Sequence, residues 1–144
     1  MFRARVPKIL IISSDTGGGH RSAAAAIVAG VQKFFHGQSY AVRVVRAIEE
    51  SHSITAKLVT LYNWVLRHRQ HWMKYFYWAV NRFRPETRQF FYTRTVGYVQ
   101  ELFERWCPHV VVSVHPLTQH IFARVLKDLK LADKIPLVTV VTDP

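Results

Sequence analysis

A doubly wound α/β fold on an open parallel sheet is predicted by three features of the sequence. Short apolar runs end in turn residues, helical apolar stripes lie between them, and a glycine-rich turn joins the first run to the first stripe. KILIIS (Lys8 to Ser13) is the first run, a strand buried on both faces. After the glycines, Ala24, Ile27, Val31 and Phe34 draw one stripe on a helix of about 15 residues, which Gly37 ends. YAVRVV (Tyr40 to Val45) is the next strand and completes a βαβ unit with a right-handed crossover. The pattern recurs after residue 106. HVVVSV (His109 to Val114) is a strand, Pro116 starts a helix with Phe122, Val125, Leu126 and Leu129 on its stripe, and PLVTVVT (Pro136 to Thr142) is a fourth strand.

Residues 51–106 differ in kind. Ile54, Leu58, Leu61, Tyr62 and Val65 form one helical stripe, and Val99, Leu102, Phe103 and Trp106 form another beyond a break at Pro85. Aromatic residues and cations alternate between them: from Ile54 to Trp106 there are nine Lys and Arg against three acids. Much of the net charge of +11 is therefore concentrated here, and it points to a polyanionic partner: nucleic acid, an anionic bilayer or phosphorylated small molecules.

A chain of 144 residues supports one domain. The lone Cys107 has no second thiol for a disulfide or a CxxC site and reads as a reduced core thiol, consistent with a cytoplasmic protein. The N-terminal apolar run is too short for a signal peptide, and no stretch reaches the ~18 apolar residues of a membrane span. Any membrane contact is expected to be peripheral.

The glycine-rich turn of SDTGGGHRSAAAAI lacks the Gly-Lys-Ser/Thr of a P-loop. Read as GxGxxG it has Ser22 at the third glycine, with Glu49 or Glu50 near the ribose-binding distance, a weak dinucleotide signal. Neither pattern explains His20, in the first helical turn at the carboxyl end of the first strand. A helix N-terminus favours the neutral imidazole, which suits a general base. The alternative is that Asp15 and Ser22 cap the turn and His20 is a solvated loop residue.

SDTGGGHRSAAAAI, SVHPLTQH (Ser113 to His120) and TVVTDP (Thr139 to Pro144) together resemble the N-terminal domain of monogalactosyldiacylglycerol synthases and the related processive diacylglycerol glycosyltransferases, which are MurG-like. The likeness runs from about Val6 to Pro144. It implies the Rossmann-like N-terminal half of a GT-B enzyme, which here carries a basic aromatic helical insertion over about residues 51–106. The family's C-terminal domain binds the UDP-sugar and is expected to be absent, so that this chain alone should not turn over. No cofactor is implied, and no metal site.

The resemblance further implies that His20 is the general base of an inverting hexosyl transfer to diacylglycerol. Asp15, Thr16, Gly17, Gly18, Gly19, Arg21, His115 and Asp143 would line the acceptor cleft. Trp64, Arg67, Arg69, Trp72, Lys74, Tyr75, Phe76, Trp78, Arg82 and Arg84 would meet anionic membrane lipids. The alternative is a non-catalytic basic module for anionic lipid or nucleic acid, since basic grooves with stacking aromatics also bind single strands, although no nucleic-acid motif is present. His68 and His71 are expected at the surface.

Overall fold

The computed structural model describes residues 6–16, 18–35, 40–83 and 89–142. Gly17, Gly37, Arg84, Pro85 and Asp143 lie outside the described residues. Strands β1 (Lys8–Ser13), β2 (Ala41–Arg46), β3 (Val110–Ser113) and β4 (Leu137–Thr139) form one parallel sheet in the order β2-β1-β3-β4. β1 pairs with β2 from Lys8 opposite Ala41, and with β3 from Ile9 opposite Val110. The order reverses at β1, so the carboxyl ends of β1 and β3 flank the switch point, where open α/β sheets leave a crevice for ligands.

Alternation along β1 feeds two cores. Leu10 and Ile12 face a cluster with Val99, Leu102, Phe103, Phe122, Val125 and Leu126, supplied by α5 (Gln89–Trp106) and α6 (Pro116–Asp128). Ile11 faces the other side, where α1 (Gly19–Phe34) contributes Ala24 with Ile27 and Val28 beside it. Each such side chain removed from water stabilises by roughly 1.5–3 kcal/mol, which explains why a six-residue strand with no polar alternation holds the centre. α5 thus belongs to the sheet layer as the crossover into β3, and its expected stripe faces the core.

Three readings need correction. Phe34 was placed on the buried stripe of α1, yet it is 77% exposed because the helix's last turn extends past the apolar cluster. Cys107 is exposed rather than core: with φ of 49° it is the left-handed residue ending α5, its amide donating to Phe103 O at 2.8 Å. Gly18, not Asp15 or Ser22, occupies the N-cap of α1, and no side chain caps it.

The apolar stripe of α3 (Ser53–His68), which follows the short α2 (Ala47–Ser51), is divided between buried and exposed positions. Its buried residues are Val59 and Val65, and of the expected stripe Val65 is buried whereas Ile54, Leu58 and Leu61 are 48%, 44% and 49% exposed. With Trp64 at 47% they make an apolar face turned outward. A single 3-10 turn (Gln70–Trp72) then leads into α4 (Met73–Phe83).

Candidate functional site

The site forms where the β1 and β3 ends meet. His20, in the first turn of α1, is 6% exposed and is not a solvated loop residue. Its Nδ1 lies 2.9 Å from the Val114 carbonyl oxygen and 2.8 Å from Thr142 Oγ1. A carbonyl only accepts, so Nδ1 bears the hydrogen, and in the neutral ring the lone pair resides on Nε2. Thr142 closes the triangle, its hydroxyl donating to Val114 O at 3.4 Å.

His115 stands beside it, 4% exposed, with ring centroids 4.4 Å apart and planes inclined at 58°. Its Nε2 is hydrogen-bonded to Thr16 Oγ1 at 2.8 Å, which ties the β3 end to the glycine turn. SVHPLTQH folds so that this ring is held. Thr118 donates its hydroxyl to His115 O at 2.9 Å and pairs with Ser113 Oγ at 2.9 Å, while Pro116 opens α6 without needing an amide partner. His120 is exposed on α6.

The peptide entering the turn is fixed by residues that sequence reasoning assigned elsewhere or missed. Glu49 Oε1 accepts from the Asp15 amide at 2.7 Å and from Ser14 Oγ at 2.9 Å. Asn63 Nδ2 donates to the Asp15 carbonyl at 2.7 Å. The Asp15 carboxylate meets Arg46 at 3.1 Å and Arg21 at 4.0 Å. That hydrogen bond to Asp15, followed by its charge, raises Arg46 above the usual guanidinium value. Glu49 is therefore occupied in holding the turn, not poised at a ribose distance. Its signal was present in the sequence only as an acid after β2, and Asn63 carried none.

A cleft of about 290 Å³ opens beside this peptide, lined by Asp15, Gly18, Arg21, Asn63, Leu66 and Arg67. It offers one carboxylate, two guanidinium groups, one amide side chain and the side chain of Leu66. Gly18 has φ of −90°, and a Cβ built there meets nothing within 4 Å, so the surrounding fold does not demand glycine. His20 does not line this cleft; its ring turns toward β3 and Thr142. Asp15 before the glycine turn and Arg21 in the first turn of α1 therefore present a carboxylate and a cation to the cleft, while His20 of the same helical turn presents its imidazole to the sheet's switch point.

Of the residues expected at a membrane, Trp64, Arg67, Arg69, Trp72, Lys74, Tyr75, Trp78 and Arg82 are exposed along α3, the 3-10 turn and α4. Phe76 is half-buried against Tyr62, with centroids 5.1 Å apart. His68 and His71 are exposed, and His68 stacks on Trp64 at 5.4 Å. Among the described residues no helix is long and apolar enough to cross a membrane, and no three His, Cys, Asp or Glu side chains are grouped to hold a metal ion.

Comparison with known proteins adds a family relationship. The sequence model of the family described as monogalactosyldiacylglycerol (MGDG) synthase matches residues 20–144. The chain is 34% identical over 140 residues to the chloroplastic monogalactosyldiacylglycerol synthase of Spinacia oleracea, covering 94% of this chain and 26% of that protein. It is 33% identical over 144 residues to monogalactosyldiacylglycerol synthase 1 of Arabidopsis thaliana, covering 96% and 26%. For the probable chloroplastic synthase 2 of Oryza sativa subsp. indica the identity is 33% over 147 residues, covering 97% and 30%. The chain thus spans between about a quarter and a third of the length of these relatives.

Proposed function

This chain belongs to the monogalactosyldiacylglycerol synthase family, and on that premise we propose that it is the acceptor- and membrane-facing part of a glycosyltransferase that moves a hexose from a UDP-sugar to diacylglycerol. His20 is the general base. Its Nε2 takes the proton of the acceptor hydroxyl as that oxygen bonds to the anomeric carbon. The bond from that carbon to the UDP oxygen breaks on the opposite face, which inverts the configuration, and UDP carries away the electron pair.

The observation that carries this reading is the hydrogen bond from His20 Nδ1 to the Val114 carbonyl, which leaves the basic lone pair on Nε2. Burial of the ring supports it further, since a base shielded from bulk water keeps its proton transfer for the bound hydroxyl. The cleft at Gly18 takes a part of the acceptor other than the reacting hydroxyl, which has to reach His20 at the switch point; room there without a fold requirement for glycine favours close approach of a ligand to backbone. Donor phosphates are bound mainly by a C-terminal UDP-sugar domain of the whole enzyme.

The outward face of α3, with Ile54, Leu58, Leu61 and Trp64, continues into the aromatic and basic surface of α4. Apolar residues ringed by cations suit the headgroup layer of an anionic bilayer, where each Lys or Arg adds on the order of 1 kcal/mol. The protein accordingly works as a peripheral membrane protein.

The test joins this chain to a donor-binding domain of the family and supplies a UDP-hexose with diacylglycerol in anionic vesicles. Transfer with inverted anomeric configuration, read by NMR of the glycolipid, is expected. Absence of transfer across UDP-hexoses, with oligonucleotides displacing vesicles from the chain, would replace this reading by a non-catalytic binding module.

A further inference from the structure

The Asp15 peptide is gripped at both of its hydrogen-bonding groups by side chains that approach from outside the βα turn. Glu49 of α2 takes the amide through Oε1, and Asn63 of α3 gives a hydrogen to the carbonyl. Both bonds are 2.7 Å long, and they join positions 34 and 48 residues apart. Glu49 Oε1 also receives Ser14 Oγ, so one carboxylate oxygen holds two consecutive residues at the exit of β1. Those residues lead directly into the glycine turn, and five positions beyond Asp15 stands His20.

We propose that Glu49 and Asn63 are positioning residues for the transfer reaction, acting through the Asp15 peptide to set where the glycine turn delivers the His20 imidazole. A turn rich in glycine has many accessible backbone states, and α1 has no side-chain N-cap to select one. Two side chains locking the peptide upstream restrict those states before the helix starts. Thr16 bonded to His115 and His20 bonded to Val114 fix the turn downstream, so the imidazole is held between two anchored points. Glu49 lies outside the cleft and needs no contact with substrate for this; Asn63 lines the cleft, and its effect on His20 runs through the Asp15 carbonyl.

Glu49 makes a chemical distinction available. Its Oε2 is buried and has no hydrogen-bond partner among the described residues. The grip therefore uses one oxygen as an acceptor and makes no use of the second. Glu49→Gln keeps an acceptor oxygen for Ser14 and Asp15 and places its amide nitrogen where Oε2 was. Glu49→Ala removes the acceptor. Asn63→Asp keeps the shape of the side chain but cannot donate, when ionised, to a carbonyl.

This inference rests on the reading of His20 as base, and the experiment separates the two. In the chain joined to its donor-binding domain, Glu49→Ala and Asn63→Asp are expected to lower kcat about 100-fold, since small misplacement of a catalytic group has effects of that size, while KM for donor and acceptor shifts little in Glu49→Ala, whose side chain lies outside the cleft. Glu49→Gln is expected to restore most of the rate. The double variant Glu49→Ala with Asn63→Asp should lose no more than the worse single variant, because both act through one peptide. Unchanged kcat per folded molecule in the single variants overturns the proposal, as does Glu49→Gln failing as badly as Glu49→Ala. If the unsubstituted enzyme shows no transfer, the reading of function fails. The positioning claim is then decided on the 144-residue chain by the 15N signature of the His20 ring. Glu49→Ala should shift it away from the Nδ1–H tautomer and Glu49→Gln should not; an unmoved signature in Glu49→Ala overturns it.

Discussion

The rings of His20 and His115 face each other at 4.4 Å between centroids although they are separated by 95 positions in the chain. Strand order brings them together: β1 and β3 are neighbours, and each ring follows the carboxyl end of its own strand. His20 is thereby packed on one side and hydrogen-bonded at Nδ1 on another.

Replacing His20 by Ala removes the proposed base, and transfer should fall at least about 100-fold, the usual scale for a positioned general base. Initial rates with UDP-hexose and diacylglycerol check this. Binding of the chain to anionic vesicles, measured by sedimentation, should stay intact in the same variant because His20 lies away from the exposed face of α3.

Gly18→Ala separates folding from ligand approach. The site has an ordinary φ of −90° and open space, so the thermal midpoint should hold or rise slightly, by the ~0.4–1 kcal/mol that reduced unfolded-state freedom provides. The KM for acceptor should nevertheless increase, since the new methyl projects into the cleft shared with Asp15 and Arg21. An unchanged KM removes that cleft from the acceptor path.

Leu61→Glu combined with Trp64→Glu places two acids on the outward face of α3. Vesicle affinity should drop at least tenfold and the remaining binding should weaken further with salt, as expected where apolar insertion and Lys or Arg attraction act together. Thermal stability should change little because both side chains are about half exposed.

Tyr98 supplies a pH test of the fold. Burial first, and then its 2.7 Å hydrogen bond to Glu50, pushes the phenol above its ordinary value of 10.0. Above about pH 10 the unfolded chain releases this proton while the folded one keeps it, so stability falls as pH rises. Tyr98→Phe should flatten that alkaline decline relative to the unsubstituted chain, measured by denaturant unfolding between neutral pH and pH 11. Equal slopes in the two proteins would contradict it.

The sheet was legible in the sequence because parallel strands buried on both faces are written as uninterrupted apolar runs. KILIIS coincides with β1, and the other three runs contain or overlap β2, β3 and β4 with small differences at their ends. The location of His20 at a strand's carboxyl end followed from the same pattern. The burial of its ring did not, since it depends on His115, Val114 and Thr142 arriving from the far side of the chain. Which way the stripe of α3 faces was not legible, for a physical reason. An apolar stripe signals something to be covered, and periodicity alone cannot say whether the cover is the protein's own core or another phase. Glu49 and Asn63 left no pattern, because a side chain that grips a distant peptide needs neither repetition nor neighbours in sequence.

The two faces of α3 have a consequence for redesign. Ile54, Leu58, Leu61 and Trp64 look outward, while Val59 is buried and Asn63 reaches the Asp15 carbonyl from the inner side. Helical geometry thus sorts surface attachment and turn geometry onto separate, independently editable sets of positions. The outward set can be rewritten with polar residues without altering a single letter that grips the Asp15 peptide.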